Sequence, residues 1–456
     1  MLQEFEGVLR RLVGLRTPAK LALSVSGGVD SMALAGLASQ WSKTRDVRLY
    51  GYIIDHHVRD GSSAEASLVA DRLAGLGIEP KILDLHANLV EPSVMEKYAR
   101  DGRRNLLQRE CVKNGIHHIL HGHTLDDQVE LFIMRFLMRS TTYGLAGMHP
   151  ESFLSIRTPP DQYPIKLLKP LLTFRKKQLE EYCLDQNIQW IEDPSNRDVT
   201  LTKRNAIRAF LASPDIPTAF SSDNLIPFIA KLQKLRETTL TQAKLAYLQL
   251  RNSGDLYYKQ GAFTLKPVKV YDALPPDVKE QLTLLILSLV SPLSVEQLFY
   301  RRQAIHNYVK LPMDRKWTLL DVAIFPMDGH LIFKRGRPRA QKSLEYTVHK
   351  ATKDWSEWKL IDNRFWIRWK LPATHEKSEC NINSRLLYST ANTKTTLSKI
   401  FGSDIKPSYE RQTHPLFMFD DPEDPYTLRS DLIIGYPTLG YCRGLNMEWQ
   451  PVEIVL

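Results

Sequence analysis

The sequence predicts an α/β fold class: a doubly wound, mostly parallel sheet, then a helical segment and a small mixed α+β C-terminal domain. Three observations lead there. Between residues 20 and about 135, short apolar runs of strand character alternate with longer runs at helical spacing, the pattern of βαβ units whose sheet is covered on both faces. Three polar clusters, SGGVDS (26–31), DHHVRDGSS (55–63) and GHTLDDQVE (122–130), fall where such strands end, and ligands of these sheets bind outside the carboxyl ends of the strands. From about residue 317 the pattern turns to short strands.

Taken in order, the first segment, MLQEFEGVLRRLVGLRTPAK, has Leu2, Phe5, Val8, Leu9 and Leu12 at helical spacing. It carries two glutamates and lacks the apolar core of a secretory signal. A first helix packed on the domain is the expectation, with a short arginine-bearing mitochondrial presequence as the alternative. LALSVS (21–26), VRLYGYIID (47–55), PKILDL (80–85) and IHHILHG (116–122) read as strands, with helices near 30–41, 63–76, 92–114 and 125–138. A further strand and helix, PIKLLKPLL and FRKKQLEEYCLDQ, span 164–186, and the Ser/Pro-rich run 213–224 reads as a linker. A long amphipathic helix over 226–250 and a helical pair around 276–310 follow, then a basic connector, KRGRPRAQK (334–342). The expected domains are 1–212, 225–315 and 343–456.

The chain has 456 residues, enough for two or three domains. Its 61 Lys+Arg against 51 Asp+Glu give a net charge of +10, which suits a polyanionic partner such as nucleic acid. Cys111, Cys183, Cys380 and Cys442 form no C-x-x-C pair, which argues against a disulfide scaffold, a zinc ribbon or a cysteine-held iron–sulfur cluster. Reduced thiols in a reducing compartment are expected. The best apolar run, Leu282 to Val290, is far short of the roughly 20 residues that span a bilayer; no membrane partner is expected.

In SGGVDS, Gly27 and Gly28 let the backbone turn and let a ligand approach it. The helix that follows begins with N–H groups lacking intrahelical partners, a ready anion site to which the Ser26 and Ser31 hydroxyls add donors. The spacing and lysine of a Walker A loop are absent. Asp30 facing phosphate calls for a divalent metal between them, and Mg²⁺ held by one or two carboxylates plus phosphates is the usual arrangement. Ser26, Gly27, Gly28, Val29, Asp30 and Ser31 are therefore the expected ATP loop, against the plainer reading of a glycine turn with an Asp cap. In GHTLDDQVE, Thr124 could cap a helix. Asp127 and Glu130, three apart, share one face of its first turn, while Asp126 points elsewhere as a structural or capping acid. Such carboxylates could hold Mg²⁺ or an ammonium group, or could simply complement the helix dipole.

SGGVDS resembles the pyrophosphate loop of the N-type ATP pyrophosphatases (PP-loop enzymes, adenine nucleotide alpha hydrolase-like), and within that group the chain resembles the tRNA(Ile)-lysidine synthases. Asp55-His56 and Arg59 resemble the family's D-H-G-L-R segment, Ala99-Arg100 with Arg103 its A-R-x-x-R-Y, and GHTLDDQVE its H-x-x-D-D-Q-x-E. Gly144 to Met148 is similar to its G-L-x-G-M. EDPSN (192–196) with Arg204-Asn205 and Arg208 is similar to its D-P-S-N and R-N-x-x-R, and LSKIFGSDIKPSYERQTHPL (397–416) to its terminal domain. Three departures stand out: His57 in place of glycine, Arg104 in place of tyrosine, and RSTTYG (139–144) in place of a glycine-richer run.

The resemblance implies ATP with its phosphates on 26–31, Asp55 also lining the nucleotide, and Mg²⁺ near Asp30 with Asp127. It implies adenylation of the O2 of the anticodon-first cytidine of tRNA(Ile) (CAU) and displacement of AMP by the ε-amine of L-lysine. Asp127 and Glu130 would bind or deprotonate that amine, His123 and Arg103 would stabilise the adenylate, and Arg204 and Arg208 would hold phosphate or a carboxylate. The helix at 226–250, KRGRPRAQK and the Trp355, Trp358, Trp366, Trp369 stretch would grip the RNA; strand aromatics in a small core are the alternative for the tryptophans. A homodimer stays open. Two alternatives remain for the function: another PP-loop tRNA-modifying enzyme, disfavoured by the lack of cysteine pairs that sulfur insertion needs, and a catalytically silent RNA-binding homologue. The departures lean toward a mitochondrial matrix, with a bacterial cytoplasm the alternative.

Overall fold

The computed structural model describes residues 1–14, 16–57, 61–85, 92–155, 157–192, 202–259, 262–336, 346–385, 414–420, 433–439, 441–442 and 445–452. Arg59, the DPSN run at 193–196, most of the basic connector and most of 397–416 lie outside these. The chain forms two compact units, Met1–Thr158 with Gln162–Glu237, and Pro159–Asp161 with Thr238–Leu456.

The first unit runs α1 (Leu2–Val13), β1 (Lys20–Ser24), α2 (Val29–Ser42), β2 (Arg48–Asp55), α3 (Ser62–Gly75), β3 (Glu79–Asp84), α4 (Pro92–Lys113), β4 (His118–His121) and α5 (Leu125–Leu137). Then come α6 (Thr142–Leu145), β5 (Glu151–Phe153), β6 (Lys166–Leu168), α7 (Lys176–Asp185), α8 (Lys203–Ala212) and the start of α9 (Ser222–Asn252). The strands order as β3-β2-β1-β4-β6-β5, parallel throughout except for the edge strand β5. The sequence reading of a doubly wound, mostly parallel sheet therefore holds for this unit. The order reverses between β1 and β4, whose ends lie level: Ser24 is paired with His121. A crevice opens where neighbouring strands send their connections to opposite faces, and ligands of such sheets bind there. SGGVDS leaves β1 and GHTLDDQVE leaves β4, so two of the three polar clusters flank that seam.

α2 follows from its composition. VDSMALAGLASQWS is apolar and small on all sides, and nearly every residue is buried, as expected of a helix enclosed by other elements. Its Met32, Leu34 and Leu37 join the core of α1, β1 and α7, and Phe5 and Leu9 of α1 are fully buried in the same cluster. Close approach continues at the seam. A Cβ on Gly122 would stand 3.2 Å from the Asp30 carbonyl oxygen and 3.3 Å from the Ser31 Cα, so the end of β4 presses on the backbone at the head of α2.

The second unit follows α9 with β7 (Leu256–Lys259), β8 (Ala262–Leu265), α10 (Val268–Asp272), α11 (Pro276–Val290), α12 (Val295–Tyr300) and α13 (Arg302–Tyr308). Strands β9 (Trp317–Leu319), β10 (Val322–Met327) and β11 (His330–Arg335) join β7 and β8 in one antiparallel sheet. The β7/β8 hairpin sits inside a segment read as helical; its strands are four residues each, too short to register against the surrounding helical period. Two further antiparallel sheets close the chain. Within one of them Trp366 and Trp369 are core residues, while Trp355 and Trp358 each stand 4.8 Å from the Arg368 guanidinium. Among the described residues no helix is long and apolar enough to cross a membrane.

Because only backbone faces a Cβ at position 122, Gly122→Ala forces the head of α2 to shift. It is expected to cost about 1–3 kcal/mol, read as a lower midpoint in chemical denaturation.

Candidate active site

The turn after β1 is shaped by its glycines and closed by a hydroxyl. Gly27 has φ +86°, and a Cβ there would meet Val69 Cγ2 at 2.6 Å, so both conformation and space require glycine. Gly28 is the N-cap of α2. The Ser31 hydroxyl donates to the Gly28 carbonyl (2.9 Å) and accepts from the Ser26 N–H (3.3 Å), and the Ser26 hydroxyl lies 3.3 Å from it. Asp30 stands in the first turn of α2 with Oδ1 buried and without a hydrogen-bond partner. Burial, reinforced by Asp127 and Asp126 and opposed by Lys176 and Arg208, raises its carboxyl to about 6. An orphaned carboxylate oxygen beside the free N–H groups of a helix fits a hard divalent cation bridging to phosphate. Mg²⁺ therefore fits at Asp30.

On the β4 side, Thr124 caps α5 in a capping box. Its hydroxyl accepts from the Asp127 N–H, and Asp127 Oδ2 accepts from the Thr124 N–H at 2.8 Å. The capping acid of α5 is therefore Asp127. Asp126, expected as a structural or capping acid, accepts from the Lys176 N–H at 2.6 Å and serves the head of α7. Val129, Phe132 and Ile133 pack against Ile207 of α8, which lays the polar face of α8 over the acids. Arg204 and Arg208, four apart on that face, take up the carboxylates. Arg204 pairs with Asp127 through its NH2 and with Glu130 through Nε at 2.5 Å; Arg208 Nε donates to Glu130 at 2.7 Å. The acids are buried, with side-chain exposures of 12% and 8%, whereas Arg204 is 40% exposed. Both Asp127 oxygens are thus engaged, and a cation held jointly by Asp30 and Asp127 would require Arg204 to move.

Asp55, at the end of β2, is fixed by the hydroxyls of Ser62 (2.8 Å) and Ser63 (2.5 Å) and by the His57 N–H (3.0 Å). Burial works against its charge, but these donors outweigh it and hold the carboxyl below its ordinary value. His57 adopts φ +50°, a backbone state that favours glycine, and its ring lies 3.5 Å from Asp55 and 3.0 Å from Asp84. Arg103 meets His56 Nε2 at 3.1 Å. At the end of β4, the His121 and His123 rings stack with centroids 4.2 Å apart, and both Nδ1 atoms are buried without partners. Burial drives His123 down to about 4 even against the pull of Asp127; its imidazole is neutral at physiological pH.

Comparison with known proteins agrees with this geometry. Residues 1–214 match the family model of the PP-loop domain. A tRNA(Ile)-lysidine synthase of Rickettsia bellii is 27% identical over 336 residues, 74% of each chain. One from Hyphomonas neptunium is 37% identical over 192 residues, 42% of this chain and 51% of the relative. A probable tRNA(Ile)-lysidine synthase of Schizosaccharomyces pombe is 34% identical over 231 residues, 46% and 48% of the two chains. The chain carries a PP-loop domain and is similar to tRNA(Ile)-lysidine synthases, to one of them over 74% of its length. In this PP-loop enzyme, an ATP-using ligase, the seam between β1 and β4 brings together Asp30, Asp127, Glu130, Arg204 and His123, which are up to 174 residues apart in order. Sequence reasoning missed Asp84, His121 and Lys169. Asp84 and His121 end short strands and Lys169 follows one, and only their common position at the carboxyl edge of the sheet could have drawn attention to them.

Asp30 gives a pH signature. Its folded value of about 6 lies above the ordinary 3.8, so its contribution to stability is present below about pH 4 and lost as pH rises through 6. Asp30→Asn is expected to leave the melting temperature nearly unchanged at pH 4 and to raise it by several degrees at pH 7.5, measured by thermal denaturation at both values.

Proposed function

We propose that this enzyme converts the anticodon-first cytidine of tRNA(Ile) (CAU) to lysidine, using ATP and L-lysine. The observation that carries the reading is the buried acid pair Asp127–Glu130 beside the unpartnered Asp30 carboxylate at the sheet's switch point, where an amine and a nucleotide triphosphate would be brought together. The pyrophosphate of ATP rests on residues 26–31. Asp30 and, with Arg204 moved, Asp127 would hold Mg²⁺, which would supply charge neutralisation to the phosphates. The cytidine O2 attacks the α-phosphorus and pyrophosphate leaves; catalysis is positioning and charge stabilisation. Arg103 and the neutral His123 face the charge of the resulting adenylate.

The lysine side chain then needs a place and a base. Its ammonium exchanges with the accessible guanidinium of Arg204 at Asp127 and Glu130, one cation for another, so the buried acids are never left uncompensated. Arg204, released, meets phosphate or the lysine carboxylate, either of which suits its planar fork, while Arg208 stays on Glu130. A carboxylate of the pair accepts a proton from the ammonium; the free amine bonds to C2 and AMP departs with the electron pair of the broken C–O bond. An anticodon loop presents an unstacked base to such a site. The net charge of +10 and the segments 225–315 and 343–456 serve the rest of the tRNA.

The test is incorporation of labelled lysine into a tRNA(Ile) transcript with a CAU anticodon, with ATP and Mg²⁺, beside a tRNA(Met) control. Label is expected only with the isoleucine tRNA, matched by AMP and pyrophosphate. Asp30→Ala is expected to abolish it, and Arg204→Ala to lower kcat/KM for lysine by about a hundredfold. Pyrophosphate release with a different acceptor would overturn the substrate. Binding of tRNA without any ATP turnover would favour the silent RNA-binding alternative.

A further inference from the structure

Lys169 follows β6 directly. Leu168 of β6 is level with Leu120 of β4, so Lys169 and His121 are the next residues of two paired strands at the carboxyl end of the sheet. Lys169 is only 7% exposed. Its ammonium donates to the His149 carbonyl (3.1 Å) and the Ser152 hydroxyl (2.8 Å), both uncharged, and among the described residues it has no carboxylate partner. Burial, with Arg104 and Arg236 nearby, lowers it to about 8. Arg103 is in a similar position: its partner is an imidazole, His56, and no described carboxylate meets it. Both cations act on His121 and His123, whose Nδ1 atoms are buried and unpartnered.

A buried cation is costly unless an anion or a bound group compensates it. Here two desolvated cations and two orphaned imidazole nitrogens gather; Asp127 also acts on His123, but both of its oxygens are engaged by Thr124 and Arg204. We propose that Lys169, Arg103, His121 and His123 form a second phosphate subsite at the ends of β4 and β6, built from elements other than the Ser26–Ser31 loop. Two cations with two imidazole donors offer more than a carboxylate takes up, which favours a phosphate. That phosphate comes either from the RNA strand at the modified nucleotide or from the α-position of the nucleotide. The inference rests on the reading of this sheet end as the site of an ATP-dependent RNA modification.

Lys169→Met keeps length and removes charge; Lys169→Arg keeps charge. The full-length variants are compared with wild type for stabilisation by inorganic phosphate, for tRNA(Ile) affinity across a salt series and for ATP affinity. The phosphate-dependent rise in melting temperature is expected to shrink in Lys169→Met, and affinity for one polyphosphate ligand to fall roughly tenfold, with Lys169→Arg close to wild type. A fall for tRNA with a salt slope reduced by about one assigns the RNA phosphate; a fall for ATP alone assigns the nucleotide. The melting temperature without ligand stays level or rises, because a buried charge has been removed. A lysine that merely ties His149 to Ser152 would do the opposite, lowering the melting temperature while leaving every affinity unmoved, and that result overturns the proposal. So does a change confined to the KM for lysine. If wild type incorporates no lysine yet the phosphate difference persists, the lysidine reading fails and the subsite stands.

Discussion

The carboxylate of Asp30 is held where water does not reach one of its oxygens, at the head of a helix buried along nearly its whole length. Burial of that kind raises the free energy of the charged form, and Lys176 and Arg208 offset the penalty only in part. The penalty persists because the backbone around it is over-determined. Gly27 must adopt a positive φ against Val69, Ser31 ties the turn together, and Gly122 lets the end of β4 rest on the Asp30 backbone. Everything else at the sheet end is arranged around this fixed point, and a divalent cation bound there would relieve it.

The neighbouring charges follow a different rule. Asp127 and Glu130 are buried and fully compensated, by Thr124 at the helix head and by the two arginines of α8. Apolar packing of Ile207 on α5 sets the register of those arginines. The asymmetry in exposure between Arg204 and the acids makes the guanidinium the exchangeable member. The buried acids are thus kept compensated by a half-exposed cation. Along β4 and β6 the balance tips again, toward Lys169 and Arg103, which pair with no carboxylate among the described residues. The seam therefore has an anionic centre and a cationic flank, the distribution expected where a lysine and several phosphates meet.

Much of this was legible in the sequence because it is local. The strand–turn–helix of SGGVDS, the cap at Thr124, the shared face of Asp127 and Glu130 and the packing of Phe5 and Leu9 each follow from periods of two or 3.6 residues and from turn chemistry. What was not legible is non-local. No spacing says that Arg204 and Arg208 fold onto Asp127 and Glu130, or that Asp126 serves α7 and leaves the cap of α5 to Asp127. Lys169 reads as one lysine in a strand until β6 is placed beside β4. His57 reads as a departure from a pattern until its φ and its contact with Asp84 explain how a side chain can occupy that turn.

The central claim is that Asp30 is the cation ligand of an ATP site, and the most direct measurement is calorimetric titration of a non-hydrolysable ATP analogue into wild type and Asp30→Asn, with and without Mg²⁺, at pH 7.5 and pH 5. In wild type the binding should depend on Mg²⁺ and weaken at pH 5, where a carboxyl near 6 is largely protonated. In Asp30→Asn it should be weaker at pH 7.5 and lose that extra dependence on metal and pH. Equal affinity in the two proteins under all four conditions would contradict the account and return Asp30 to a structural role.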